Sequence, residues 1–322
     1  MKYFITGAQG FIGAWIVKAL LERGDAPIIF DVSDDSRRLK AIITDDELSR
    51  ARFLIGDITD PAAVLKAVVS SGARRIIHLA GVQVPTCKAD PLLGAKINVI
   101  GTLNIFEAAR AAAVERVVYA SSAAVFGMND DGRPVDESAR PEPGTHYGVF
   151  KHANEGSARV YFLDHKLSSA GLRPYTVYGV GRDAGMTSDP TKAMKAAVVG
   201  RPFHIRFGGA TDFQYVADTA AAFIACADRS PSGAHVFNLH GETVQVAAIV
   251  ESICRHIPDQ DRSLITFGGP SIPIAPELRD DAIRAAVGPL PSTPMDTGIR
   301  ETIERFRRLK DQGKLDIRDL DA

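Results

Sequence analysis

Residues 2–13 read KYFITGAQGFIG, and this stretch decides the fold. Its first half is an apolar run that predicts a short buried strand. Its last residues begin a segment with apolar residues at helical spacing, which predicts a helix. Gly7, Gly10 and Gly13 fill the turn between the two. One glycine allows the tight turn, one lets backbone N–H groups approach a pyrophosphate, and one lets the helix pack against the sheet. The stretch therefore predicts a phosphate site at the positive end of a helix.

The same alternation of strand and helix continues to about residue 174. Helices are predicted at 11–21, 61–69, 98–113 and 145–157, and strands at 3–6, 28–30, 52–55, 75–79, 117–120 and 172–174. Parallel neighbours need a helical crossover, so this order predicts an α/β fold with a doubly wound parallel sheet of the Rossmann type. After about Tyr175 the alternation fades, and proline and glycine separate shorter elements before a last helix at 298–310.

Composition excludes several classes of protein. The 322 residues carry 38 basic and 39 acidic side chains, so nothing indicates a nucleic-acid or membrane surface. No apolar run approaches the roughly 18 residues of a spanning helix, and a cytoplasmic location is predicted. The three cysteines are far apart and predict neither a disulfide framework nor a metal site.

Asp31 indicates which dinucleotide would bind. It ends the second predicted strand, where a carboxylate accepts hydrogen bonds from a ribose diol and repels a 2′-phosphate. This favours NAD over NADP. Arg37 and Arg38 lie just downstream and weaken the preference, because either could reach a phosphate.

Two motifs together, TGxxGxxG at residues 6–13 and YGVFK at 147–151, resemble the extended short-chain dehydrogenase/reductase superfamily. Within it, the sequence is most similar to the NAD-dependent sugar epimerase/dehydratase family. Further stretches carry the likeness over most of the chain: HLAG at 78–81, NVIGT at 98–102, SSAAVFG at 121–127, LRPYTVYG at 172–179 and DFQYVAD at 212–218.

The resemblance implies a set of NAD-binding residues. These are Gly7, Gly10, Phe11, Ile12, Gly13, Asp31, Asp57, Ile58, Leu79, Ala80, Gly81, Asn98, Tyr147, Lys151 and Tyr175. Two of them have a plainer explanation as well, because Asn98 could simply cap a helix and Tyr175 could simply pack.

The resemblance also implies three catalytic residues, Ser122, Tyr147 and Lys151. Tyr147 and Lys151 are four residues apart on a predicted helix and share one face. A phenol with a pKa near 10 must lose about 3 units, or about 4 kcal/mol, to act as a base at neutral pH. An adjacent ammonium and a nicotinamide cation supply opposite-charge stabilisation. Ser122 would hydrogen-bond the same substrate oxygen.

The reaction class is narrowed by two alanines. Dehydratases of the family carry acidic residues directly after the catalytic Ser/Thr, and Ala123 and Ala124 stand there. Dehydration is therefore disfavoured. The first hypothesis is an NAD-dependent carbohydrate epimerase that acts through a transient keto intermediate. The alternatives are a dehydrogenase that releases NADH and a non-enzymatic NAD sensor, which the intact catalytic set disfavours.

The substrate is less defined. Relatives that bind nucleotide sugars place an arginine before the Asp-Phe pair, and Thr211 stands there; Arg206, Arg279 and Arg284 are other candidates for a diphosphate. A free sugar, sugar acid or lactone competes with a nucleotide sugar. Candidate substrate residues are Gln83, Ser122, Arg182, Thr187 and Ser188.

The resemblance finally implies the organisation of the molecule. Residues 1–174 would form the NAD-binding domain, with 213–240 returning to it, and 175–212 and 241–322 would form a smaller mixed α/β substrate-binding domain. Helices 98–113 and 145–157 would form the interface of a homodimer.

Overall fold

A seven-stranded sheet organises the chain, of which the computed structural model describes residues 1–128, 133–257 and 261–321. Its strands are β1 (Lys2–Thr6), β2 (Ala26–Asp31), β3 (Arg52–Ile55), β4 (Arg75–His78), β5 (Arg116–Ala120), β6 (Ser168–Arg173) and β10 (Ala234–Asn238). Their order is β10-β6-β5-β4-β1-β2-β3, and every neighbouring pair is parallel. The predicted doubly wound parallel sheet is confirmed.

The strand order reverses beside β1. The chain moves from β1 outward to β2 and β3, then returns to place β4 on the other side of β1. In such sheets the crevice at the carboxyl ends of the strands, at this switch point, is where ligands bind. The glycine turn after β1 and the loop after β4 both open into that crevice.

Helices cover both faces of the sheet and bury its central strands on both sides. In the first half they are α1 (Phe11–Glu22), α2 (Arg37–Lys40), α3 (Asp45–Leu48), α4 (Pro61–Ser71), α5 (Val84–Ala89), α6 (Pro91–Ala95), α7 (Gly101–Ala111) and α8 (His146–His165). In the second half they are α9 (Asp189–Val199), α10 (Val216–Arg229), α11 (Val246–His256), α12 (Asp281–Val287) and α13 (Met295–Asp311). Helices α1 and α10 pack together on one face, and α4, α7 and α8 bury the other.

Two small sheets lie outside the main one. One contains β7 (Thr176–Tyr178), β9 (Ala210–Tyr215) and β11 (Glu242–Gln245), with one parallel and one antiparallel pair. The other pairs β8 (Phe203–Ile205) with β12 (Ile265–Phe267). The chain returns to the main sheet between β9 and β11. There α10 packs on α1, and β10 completes one edge of the main sheet. The division into two domains stays a prediction.

The predicted helix start at Asn98 is wrong. The helical segment begins at Pro91, where Asp90 accepts a hydrogen bond from Leu93 N, and Asn98 lies within a π-helical turn over Lys96–Ile100. Proline in the first turn of a helix was the local signal for this start. Helix α8 also runs on past residue 157 to His165. No helix in the described ranges is long and apolar enough to cross a membrane.

Candidate active site

A cavity of about 380 Å³ lies at the carboxyl edge of the main sheet. It brings together these residues that the sequence singled out: Gly7, Gly10, Phe11, Ile12, Gly13, Leu79, Gly81, Gln83, Ser122, Tyr147, Lys151, Tyr175, Arg182 and Thr187. Others lie outside its lining: Asp31, Asp57, Ile58, Ala80, Asn98 and Ser188. Residues from before and after position 174 thus share one chamber.

The glycine turn has no room for side chains. Gly7 has a φ of +65°, and a Cβ on it would lie 2.6 Å from Ala80 N. A Cβ on Gly13 would overlap the Gly7 carbonyl oxygen. No side chain caps α1 at Gly10, so the first N–H groups of the helix face the cavity without an intrahelical partner. This arrangement fits a pyrophosphate.

Asp31 is fixed at the end of β2. Its two carboxylate oxygens accept hydrogen bonds from Gln9 N at 3.0 Å and Val32 N at 2.9 Å. Burial raises the pKa of Asp31, while these two hydrogen bonds act to lower it. The carboxylate keeps free lone pairs for a ribose diol.

Both nearby arginines have carboxylate partners. Arg37 pairs with Asp35 and Asp316. Arg38 donates two hydrogen bonds to Asp183, at 3.0 and 2.7 Å. Neither guanidinium therefore stands free to receive a 2′-phosphate, which strengthens the preference for a diol at Asp31.

The start of α8 positions the tyrosine and the lysine. Thr145 caps the helix by accepting a hydrogen bond from Gly148 N at 3.1 Å. A Cβ on Gly148 would overlap the Ala124 carbonyl oxygen, so the helix lies directly against the loop after β5. That close approach sets Tyr147 beside Ser122, whose side chain acts to lower the pKa of the phenol.

The electrostatics of this group come from burial and from two neighbours. Burial raises the pKa of Tyr147, while the Ser122 hydrogen bond and the Arg182 charge act to lower it. Burial lowers the pKa of Lys151 to about 8. The Lys151 Nζ donates to Ala120 O at 2.7 Å and lies 5.5 Å from the centroid of the Tyr147 ring. The balance of these effects leaves the pKa of the Tyr147 phenol raised.

A buried ion pair that the sequence analysis missed supports the loop after β5. Glu155 of α8 accepts two hydrogen bonds from Arg173, each 2.8 Å long, and one from Ser121 Oγ at 2.5 Å. Arg173 also lies 4.7 Å from the centroid of the Phe126 ring. These contacts fix the residue directly before Ser122 and so orient the Ser122 hydroxyl.

His78 and Asn98 have structural partners. His78 is buried between the hydroxyls of Thr6 and Thr102, and burial lowers its pKa to about 3, so it is neutral. Asn98 Oδ1 accepts from Val82 N, and its Nδ2 donates to Val82 O, each at 2.9 Å. Asn98 therefore holds the loop after β4.

The loop of residues 180–187, here called the strap, lies against α1. Trp15 of α1 donates to Val180 O at 2.9 Å, and the Arg182 guanidinium lies 5.7 Å from the centroid of the Phe11 ring. The Arg38–Asp183 pair ties the strap to the segment after β2. The strap therefore closes one side of the cavity.

A second cavity of about 510 Å³ adjoins the first. The two share Met186, Thr187, Ile272 and Pro273, and Ser188 lies in the second. The sequence analysis missed the contribution of Ile272 and Pro273 to both chambers and of Ile274 to the first, because no periodicity or motif marks this segment.

The arginines proposed for a diphosphate are engaged elsewhere. Arg206, at the rim of the second cavity, is bound by Asp189. Arg279 pairs with Asp281, and Arg284 with Asp280. Thr211 is fully buried, and its hydroxyl lies 2.7 Å from that of Thr176.

The geometry can be compared with known proteins. Residues 3–239 match the NAD dependent epimerase/dehydratase family. The chain belongs to this family. It is therefore an NAD-dependent enzyme, and the resemblance inferred from the motifs is confirmed. Three features of the site fit that cofactor: the uncapped start of α1, the glycines that leave no room for a Cβ, and the carboxylate of Asp31.

Relatives with known names cover nearly the whole chain. A UDP-glucose 4-epimerase of Mycolicibacterium smegmatis is 29% identical over 327 residues, which cover 95% of this chain and 99% of that protein. A probable UDP-glucuronate 4-epimerase of Rhizobium meliloti is 27% identical over 298 residues, covering 89% and 83%. The crystal structure of a Thermus thermophilus UDP-glucose 4-epimerase in complex with NAD has a TM-score of 0.81 and 25% identity, over 95% of this chain and 99% of that one.

Proposed function

We propose that this enzyme is an NAD-dependent epimerase of a carbohydrate, either a sugar or a nucleotide sugar, that acts through a transient keto intermediate. The observation that carries the proposal is that Ser122, Tyr147 and Lys151 line one cavity with the glycine turn. The named UDP-sugar 4-epimerases among its relatives support the same class of reaction.

Tyr147 is the acid and base of the proposed reaction. Its phenol oxygen takes the proton of the substrate hydroxyl and later returns it, while Ser122 hydrogen-bonds the same oxygen. Lys151 keeps a positive charge near the phenolate and stabilises it. NAD, when bound, supplies the hydride acceptor at the oxidised carbon and the donor in the return step.

The surroundings of Ser122 speak against dehydration. Ala123 is fully buried and Ala124 lines the cavity, so neither position carries a group that could transfer a proton for elimination. The keto intermediate is therefore left to rotate and be reduced again, or to leave.

A net dehydrogenase of a free sugar or sugar acid is the second candidate. It is favoured by the state of the arginines, since Arg206, Arg279 and Arg284 are all paired and the buried Thr211 cannot clamp a diphosphate. A substrate without a diphosphate would not need them.

One incubation separates the two candidates. Enzyme, excess NAD and a panel of sugars, nucleotide sugars and sugar acids are mixed, and NADH absorbance and product stereochemistry are followed. We expect an inverted centre with no accumulation of NADH. Stoichiometric NADH release would reject the epimerase in favour of the dehydrogenase, and inversion without NADH would reject the dehydrogenase.

We further propose a homodimer built on the outer face of α8. Val149, Val160 and Leu163 are each about half exposed, and at 100° per residue they project within about 60° of one another. A Cβ on Gly156, on the same helix, would meet no atom within 4 Å. An apolar strip with room for close approach suits the same helix of a second copy. The partners proposed are thus a carbohydrate and this second copy, in the cytoplasm, without nucleic acid or membrane.

The Val160→Asp variant should convert the dimer to a monomer. A charge placed in an apolar two-fold interface is buried twice without a partner, which costs several kcal/mol. Light scattering should give about twice 34.6 kDa for the wild type and 34.6 kDa for the variant. Val69→Asp on α4, at an equally exposed valine off this face, is the control and should stay dimeric. A monomeric wild type would contradict the proposal.

A further inference from the structure

Arg182 is a cavity cation that has no carboxylate partner among the described residues. Its Nη2 donates to Thr187 Oγ1 at 3.0 Å, and its Nε is buried with no hydrogen-bond partner in the described part of the chain. The neighbouring Asp183 does not serve it as an ion-pair partner, because both of its oxygens are bound by Arg38. A partly buried guanidinium with a buried, unpaired Nε is costly unless a ligand supplies the missing negative charge.

The charge of the whole cavity leads to the same requirement. Its lining contains two basic side chains, Lys151 and Arg182, and no aspartate or glutamate among the described residues. Oxidised NAD has a net charge of minus one, from two phosphates and one pyridinium. While the Tyr147 phenol is protonated, cavity and cofactor together therefore keep one uncompensated positive charge, which a singly charged anionic substrate would neutralise.

The guanidinium is held in place for such a ligand. It packs over the Phe11 ring, and Gly185 lies close enough that a Cβ on it would be 3.2 Å from Nη2. The Arg182 charge acts on the pKa of the Tyr147 phenol, and both side chains line the same cavity. The guanidinium therefore faces the part of the cavity where the reacting hydroxyl would lie. The planar fork of an arginine matches the two oxygens of a carboxylate.

We propose that Arg182 binds a carboxylate of the substrate, and that the substrate is therefore an acidic sugar, free or nucleotide-linked. This inference rests on the proposed function and adds the substrate class to it. The cofactor's pyrophosphate is the competing anion. The free N–H groups at the start of α1 already provide for it.

The test uses the NAD-bound enzyme and pairs of sugars that differ only in the carboxylate. The pairs are UDP-glucuronate with UDP-glucose, and D-galacturonate with D-galactose. We expect kcat/KM for the acidic member to exceed that for the neutral one by about 100-fold or more, as for sites built to pair a charged group. Arg182→Met should remove most of this preference, mainly through KM for the acidic sugar. The neutral sugar should lose much less, because for it the variant removes only the charge that acts to lower the pKa of Tyr147.

Two variants and one binding measurement isolate the role of the guanidinium. Arg182→Lys keeps the charge without the fork and should recover only part of the preference. Arg279→Met removes an exposed arginine outside the cavity and should leave the preference intact. The Kd for NAD, titrated without sugar, should be the same in the wild type and in Arg182→Met.

Three results would overturn the inference. These are equal kcat/KM within each sugar pair, an equal loss for both members in Arg182→Met, and a weaker NAD Kd in that variant, which would assign Arg182 to the pyrophosphate. Conversion of the neutral sugars alone would leave the proposed function standing while rejecting the acidic substrate. If no sugar is converted, D-galacturonate should still raise the Tm of the NAD-bound wild type and not that of Arg182→Met; no such shift rejects the inference.

Discussion

The Tyr147→Phe variant should lose turnover by about 10²–10⁴-fold, the usual contribution of a positioned acid–base group. The phenol oxygen is the only group of this side chain that can carry the proton, and phenylalanine fills the same space. The start of α8 is held by Thr145 and by the close approach of Gly148, neither of which the substitution changes. The variant should therefore fold and bind NAD as the wild type does, measured by circular dichroism and by a sugar-free NAD titration.

Tyr175→Phe is a matched control in the same cavity. The Tyr175 hydroxyl donates to the Ile274 carbonyl at 3.3 Å, so it is tied to the wall of the chamber. Its removal should cost less than about tenfold in turnover, the scale of one ordinary hydrogen bond. Tyr147→Phe working at the wild-type rate would refute the assignment of the acid and base.

Lys151→Met should abolish most activity and still stabilise the fold. Turnover should fall at least about 100-fold because the phenolate loses its neighbouring cation. Burial lowers the pKa of Lys151 from 10.5 to about 8, so the folded protein pays to keep this ammonium charged at pH 7. At 1.36 kcal/mol per unit, and less one hydrogen bond to Ala120 O, its removal should raise the free energy of unfolding by about 1–3 kcal/mol.

The gain should depend on pH in a defined direction. Between pH 8 and about 10.4 the unfolded lysine still holds its proton while the folded one has lost it, so the stability of the wild type rises with pH there. The advantage of the variant should be full below pH 8 and vanish by about pH 10.4. Denaturant unfolding of NAD-free protein at pH 7 and pH 10 measures this.

Lys195→Met is the control of opposite sign. Lys195 is also buried, but it pairs with Asp319 at 2.7 Å and donates to Asp316 O at 3.0 Å. Its removal leaves Asp319 without a cation and should lower the free energy of unfolding. If Lys151→Met were destabilising at pH 7 to the same degree, the buried ammonium would not carry the cost assigned to it.

The sequence alone was sufficient to predict those features of the fold and of the site that depend on residues close together along the chain. The strand at Arg52–Ile55 was predicted to the residue, because it is a mostly apolar run that ends directly before a glycine. The glycine turn was predictable because its steric demands are local. The shared face of Tyr147 and Lys151 follows from helical periodicity alone.

The rest depends on contacts between distant segments. The pairing of Arg38 with Asp183 spans 145 residues, and no pattern near either residue indicates it. Asn98 was expected at a helix start because proline at 91 was not recognised as the first turn. The sequence analysis expected a lowered pKa for Tyr147 because it considered only the neighbouring charges. Burial of the phenol in the folded cavity raises that pKa, and burial cannot be seen in the sequence.

The strap lines one side of the cavity that contains the glycine turn. Widening the cavity on this side would break the ion pair between Arg38 and Asp183 and the Trp15 hydrogen bond to Val180 O. Because the Arg38–Asp183 ion pair is partly exposed to solvent, dissolved ions weaken it. Higher ionic strength should thus shorten the residence time of NAD on the enzyme. A long residence time at low ionic strength is compatible with the proposed epimerase, which would end every cycle in its starting redox state.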